Sequence, residues 1–148
     1  MEHPNKARWA QPPRLLLVEN DPSLLVCAGA FLLAHGYLVD CVESAREAWA
    51  LLEARPAYAI VVTCLEFPLN GRQNGFDVIR RVQGIVPKPA TVLWTTLESP
   101  GILREARECG ADRCVLKSTL HDLLEALSGF AKPSQAPAFP AERWPVST

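Results

Sequence analysis

Short apolar runs alternate along this chain with longer stretches in which apolar residues recur every three or four positions. "RLLLV" (14–18) is the first run, and Leu24, Leu25, Ala28, Phe31 and Leu32 then fall on one helical face that Gly36 ends. "YLVDCV" (37–42) predicts a second strand. Ser44 and Glu47, spaced as a capping box, open a helix carrying Ala45, Ala48, Trp49 and Leu52, and Pro56 punctuates it. "YAIVV" (58–62) predicts a third strand. Gly75 opens a helix with Phe76, Ile79 and Val82, closed by Pro87 and Pro89. "ATVLWT" (90–95) is a fourth strand, followed by Ser99-Pro100 as a helix start, by Ile102, Leu103 and Ala106, and by Gly110 as the stop. "RCVLK" (113–117) is the fifth, and Leu120, Leu123, Leu124 and Leu127 give the last helical face. Five strand–helix units with strands apolar throughout predict an α/β protein: a doubly wound, five-stranded parallel sheet covered on both faces and joined by right-handed crossovers.

Composition adds boundaries. The 148 residues fit one domain, expected over 14–130, between an N-terminal tail (1–13) and a proline-rich C-terminal tail (131–148) that cannot continue a helix. Fifteen Lys and Arg nearly cancel sixteen Asp and Glu, so nucleic-acid binding by charge alone is not expected. No apolar stretch approaches the roughly 20 residues of a membrane span, and the first 13 residues lack an apolar signal core. The expectation is a cytoplasmic protein with no membrane partner. The cysteines, at 27, 41, 64, 109 and 114, form no C-x-x-C pair, which removes the usual motive for structural zinc. Cys27 and Cys41 stand among apolar residues and are expected in the core.

In a doubly wound sheet, ligands and chemistry gather at the carboxyl ends of the strands. Those ends present Glu19, Asn20 and Asp21 after the first strand, Cys64 after the third, Thr95 and Thr96 after the fourth, and Lys117 after the fifth. The first strand is followed by no G-x-G-x-x-G, and the chain contains no Walker A motif and no G-x-S-x-G elbow. Dinucleotide-binding, P-loop and α/β-hydrolase chemistry therefore lack their required parts. Glu19 and Asp21 would repel the phosphate of a flavin carrier. No enzyme activity is expected.

The constellation "LLLVENDPSLL", "VVTCLEFPLNG", "VLWTT" and "GADRCVLKS", in this order and spacing, resembles the receiver domain of two-component response regulators over residues 14–130. The resemblance implies a flavodoxin-like strand order, 2-1-3-4-5. It places Cys64, four positions before Pro68, where the family has its phosphoacceptor aspartate. Glu19 and Asn20 correspond to the acidic pocket, Thr95 to the signalling hydroxyl, Cys114 to the switch aromatic and Lys117 to the strand-five lysine. In the family, magnesium bridges the reacting groups and the aspartate takes a phosphoryl group from a phosphohistidine. A magnesium ion wants hard oxygen ligands in an octahedron, and a thiol is soft. Asn20 removes a further charge, so no cofactor or metal is expected, magnesium included. Ser118 replaces the family's proline after the lysine, so a trans peptide is expected there. The loop from Pro68 to Gly75 is about three residues longer than the family's common form.

The resemblance thus implies a single-domain, atypical response regulator in a phosphorelay, not phosphorylated at the usual position. It would act by contact with a histidine kinase or phosphotransfer protein, or by homodimerising through residues 99–130. Only 31 residues follow Lys117, which leaves no room for an effector domain. The competing expectation is a thiol redox sensor, in which the Lys117 ammonium lowers the Cys64 pKa and exposes a thiolate to oxidants.

Overall fold

The computed structural model describes residues 11–54, 57–67 and 73–134. The N-terminal tail as far as residue 10, Pro56, the segment 68–72 that holds Pro68, Asn70 and Gly71, and the C-terminal tail from 135 lie outside the described residues.

The elements follow the expected alternation: β1 (Arg14–Val18), α1 (Pro22–Ala34), β2 (Leu38–Val42), α2 (Ala45–Ala54), β3 (Ile60–Thr63), α3 (Gly75–Val82), β4 (Ala90–Thr95), α4 (Pro100–Cys109), β5 (Arg113–Leu116) and α5 (Leu120–Ser128). All pairings are parallel, in the order β2-β1-β3-β4-β5. This is the doubly wound, flavodoxin-like order, with its switch point between β1 and β3.

Strand side chains alternate between the two faces, and both faces are dry. Leu15, Leu17, Ile60, Val62, Val92 and Trp94 pack against Leu25, Ala28 and Leu32 of α1 and Leu123 and Leu127 of α5. On the other face Leu16, Val18 and Val61 meet Ala45, Ala48 and Leu52 of α2 and Val78 and Val82 of α3. Leu93 continues that layer toward Phe76, Ile79, Ala106 and Cys109. Burial on both sides is what makes these strands read as unbroken apolar runs. The run "YAIVV" overshoots, because β3 begins at Ile60; Tyr58 is buried beneath α2 and hydrogen-bonds Asp40, which also pairs with Arg14 at 3.2 Å.

The helix starts are set by side-chain caps. Asp21 accepts from Ser23 N and Leu24 N, Ser99 from Ile102 N and Thr119 from Asp122 N. The Ser44–Glu47 box forms differently from expectation. Ser44 Oγ accepts from Glu47 N, but the Glu47 carboxylate reaches past Ser44 to Glu43 N at 3.1 Å. The reciprocal box belongs to α3, where Asn74 and Asp77 each accept from the other's backbone N–H.

Cys27 and Cys41 are exposed, contrary to the core placement expected from their neighbours. α1 reads "PSLLVCAGAFLLA" with no charge on any side, so apolar neighbours do not distinguish its inner face from its outer one. Cys41 lies on β2, the edge strand. Residues 131–134, assigned to the tail, pack back onto the domain: Tyr37 Oη donates to Ala131 O at 2.7 Å and Ser134 N donates to Gly36 O at 2.9 Å. Among the described residues no helix is long and apolar enough to cross a membrane.

Candidate functional site

Backbone hydrogen bonds carry the sheet's register past the strand ends. Glu19 N donates to Val42 O (3.0 Å), Cys64 N to Val18 O (2.9 Å) and Lys117 N to Thr95 O (2.7 Å). These bonds fix Glu19, Cys64, Thr95 and Lys117 along one edge of the sheet. Asn20, Cys64, Leu65, Glu66, Thr95, Thr96, Leu97 and Lys117 line a shallow recess of about 130 Å³ there.

Its charged centre is an ion pair. Lys117 Nζ donates to Glu19 Oε1 at 2.6 Å, with the Glu19 side chain 1% exposed and that of Lys117 16%. Glu19 Oε2 accepts from Asp21 N at 2.9 Å. With its amide turned so that nitrogen faces the carboxylate, Asn20 donates to the same oxygen (3.1 Å) and to Glu66 O (3.2 Å). That orientation is the one that pairs donors with acceptors. Both Glu19 oxygens are then engaged by donors of the protein itself. Lys117 Nζ also lies 5.0 Å above the Trp94 ring, a cation–π contact that anchors the ammonium from beneath. Trp94 Nε1 has no hydrogen-bond partner among the described residues, so the indole contributes its face and its volume.

Cys64 is 2% exposed. Its Sγ lies 3.4 Å from the Asn20 amide atom that faces Glu19 and 3.5 Å from Glu66 O. Burial, and after it the Glu19 carboxylate, push the thiol up to about 12; a hydrogen bond from the Asn20 backbone and the Lys117 charge pull the other way and are outweighed. At pH 7 the thiol is therefore protonated. Lys117 does pull this pKa down, as expected, but burial first and the Glu19 carboxylate second outweigh it, so the net shift is upward. A buried neutral thiol is a weak nucleophile, so the geometry gives the redox-sensor alternative no support.

A divalent cation fits this donor set poorly. The buried Glu19 carboxylate is bridged by lysine, a backbone N–H and an amide, and the side chain at the third strand end is a protonated sulfur. Among the described residues no group of three or more His, Cys, Asp or Glu side chains could hold a metal. Magnesium, with its demand for octahedral oxygen ligands, is therefore not assigned to these residues.

Of the residues singled out in the sequence, Glu19, Asn20, Cys64, Thr95 and Lys117 come together. Thr95 is buried, and its Oγ1 accepts from Leu97 N at 3.1 Å, which turns the chain after β4 across the recess. Cys114 stands apart: it is half-buried, packs with the Leu93 layer and lines a separate recess of about 240 Å³ with Leu103, Ala106, Arg107 and Ala111. Burial, then Glu98, raise its pKa. The Lys117–Ser118 peptide is trans; Val86–Pro87 is the cis bond among the described residues.

Two positions matter here that the sequence did not single out for the site. Glu66 supplies the carbonyl that holds Asn20 and faces Cys64, and its bridge to Asn74 clips the two ends of the 68–72 segment together. Gly75 packs directly on the Cys64 peptide: a Cβ there would stand 2.1 Å from Cys64 O, and Gly75 N donates to Leu65 O at 2.7 Å. Gly75 reads from sequence only as a helix opener, since the close approach is a tertiary fact.

No protein-family model matches the chain. Among curated proteins it is 27% identical over 117 residues to the gliding motility regulatory protein of Myxococcus xanthus. That match spans 78% of this chain and 14% of that protein's length. Similar solved structures are receiver domains. The non-phosphorylated HemR receiver domain of Leptospira biflexa has a TM-score of 0.71 and 26% identity, covering 80% of this chain and 93% of that one. A CheY-like response regulator receiver domain protein from Methanospirillum hungatei JF-1 has a TM-score of 0.71 and 22% identity, over 79% and 91% of the two chains. Chemotaxis protein CheY4 of Vibrio cholerae has a TM-score of 0.70 and 22% identity, over 80% and 98%. The fold is that of a response regulator receiver domain.

Proposed function

We propose that this chain is an atypical receiver module of two-component signalling that works by protein contact and carries no phosphoryl group at residue 64. One observation carries the proposal: Cys64, at the carboxyl end of β3, is a buried neutral thiol beside a Glu19–Lys117 ion pair that is complete without any ion. A phosphoryl acceptor in such a site needs a carboxylate and a metal that screens the incoming charge; the side chain at 64 supplies neither the anion nor a hard ligand. The similar receiver structures and the curated relative support placing the module in a regulatory pathway.

The partner is a histidine kinase or phosphotransfer protein, engaged without group transfer, or a second copy joined through residues 99–130. Near-neutral composition argues against nucleic acid as the partner. The module is a binding protein and not an enzyme.

The test is incubation with labelled acetyl phosphate and with a phosphorylated histidine donor, both with magnesium, followed by intact mass and acid-lability measurement. The proposal expects no added phosphoryl mass on wild type. Stoichiometric label mapped to Cys64, or to a neighbour in the recess, would overturn it.

A further inference from the structure

α1 is the one helix here whose apolar residues run all the way round without a charge. Its inner face is accounted for by the core, but Val26 is 70% exposed, and Cys27, Ala30 and Ala34 are exposed beside it, with Leu33 half-exposed. These positions, spaced by three, four and seven, make a continuous outer stripe. A helix of this composition is ordinarily covered on both sides.

The described chain finishes against the carboxyl end of this same helix. Ser134 N donates to Gly36 O at 2.9 Å, and Gly36, with a φ of 101°, turns the chain out of α1. A Cβ at Gly36 would stand 2.4 Å from Ser134 O, so the two backbones are in direct contact. Tyr37, fully buried, ties down Ala131 just before. Residues 135–148, "QAPAFPAERWPVST", therefore start from the foot of the bare stripe. They carry Phe139, Trp144 and Val146, and their adjacent charges, Glu142 and Arg143, cancel.

We infer that the outer face of α1 is the docking site for this chain's own residues 135–148, with Phe139 and Trp144 as the anchors. The lengths agree. α1 is about 20 Å long at 1.5 Å per residue. At the roughly 3.1 Å per residue of proline-rich chain, Phe139 lies within about 15 Å of Ser134 and Trp144 within about 31 Å. Phe139 thus reaches the Val26–Ala30 part of the stripe and Trp144 the helix's amino end, beside the recess. Pro137, Pro140 and Pro145 prevent continuous pairing with the edge of β2, so this segment suits a side-chain contact with a helix face better than a strand contact. The tether supplies a high effective concentration, so two aromatic anchors suffice for an intramolecular contact.

Cys27, on the stripe, reports occupancy. Site-resolved alkylation of the full chain by iodoacetamide is compared with a Phe139→Ser/Trp144→Ser double variant, whose changes lie outside the described residues, and equal urea midpoints of the two proteins check that the fold is intact. Cys27 is expected to react about fivefold faster in the double variant, because a segment docked most of the time protects by its bound-to-free ratio. Cys114, on β5 and packed with the Leu93 layer, should react equally in both. Equal Cys27 rates in the two proteins would overturn the inference. So would wild-type protection that disappears on dilution together with a dimer in sedimentation, since the stripe would then be covered by a second copy.

Discussion

At the scale of single residues, the recess is governed by how one carboxylate is satisfied. Removing Lys117 would strand Glu19 as an unpaired buried charge. Lys117→Met is expected to lower unfolding stability by about 3–5 kcal/mol, and Glu19→Gln/Lys117→Met by clearly less, measured by urea denaturation as a double-mutant cycle. An additive pair would mean the 2.6 Å contact is not an interaction of the folded state in solution. Cys64 makes a second prediction, about alkali. Its thiol is raised in the folded protein from an ordinary value of 9.0 to about 12, so between those pH values the unfolded chain loses the proton first. The folded state then holds more protons, and stability falls as pH rises through that window; buried Tyr37, raised from 10.0 to about 12, adds to the fall above pH 10. The urea midpoint should drop as pH rises above about 9, and drop less in Cys64→Ala, which keeps the contributions of Tyr37 and of the other thiols that burial raises, Cys41, Cys109 and Cys114. An identical pH slope in that variant would count against a neutral buried thiol.

At the scale of elements, the central strands β1, β3 and β4 were legible because burial on both faces leaves them nearly all apolar, and four of the five helix starts announced themselves through Ser44, Ser99-Pro100, Gly75 or the Leu120 stripe. α1 was legible as a helix but not in its orientation, and the misplacement of Cys27 follows directly from that. The site was legible in its members, since strand ends in a parallel sheet must converge, but not in its wiring. The Asn20–Glu66 and Gly75–Cys64 contacts join residues whose spacing carries no periodic signal. Gly75 is where this matters most. Gly75→Ala must push the α3 start away from the Cys64 carbonyl, and is expected to cost about 2–3 kcal/mol. Its signature is loosening of residues 64–66 in hydrogen exchange while α5 stays protected. Asn74→Ala, which removes only the cap, should cost about 1 kcal/mol without that loosening.

At the scale of the whole molecule, the fold is that of a receiver domain, and the proposed function turns on the one sulfur, Cys64, that stands at the carboxyl end of β3 beside Glu19 and Lys117. The layers on both faces, from Leu15 to Leu127, are packed as the fold requires, so the chemistry proposed for residue 64 is set within an intact frame. The account's central claim is that this frame presents a recess closed to a hard cation and a phosphoryl group. The most direct measurement is a titration of the ¹⁵N-labelled protein with magnesium and beryllofluoride, following the backbone amides of Cys64, Thr95 and Lys117. No saturable shift is expected in the wild type up to about 20 mM magnesium, against a saturable response in Cys64→Asp, where an oxygen anion is supplied. Saturable wild-type shifts converging on those three amides would contradict it.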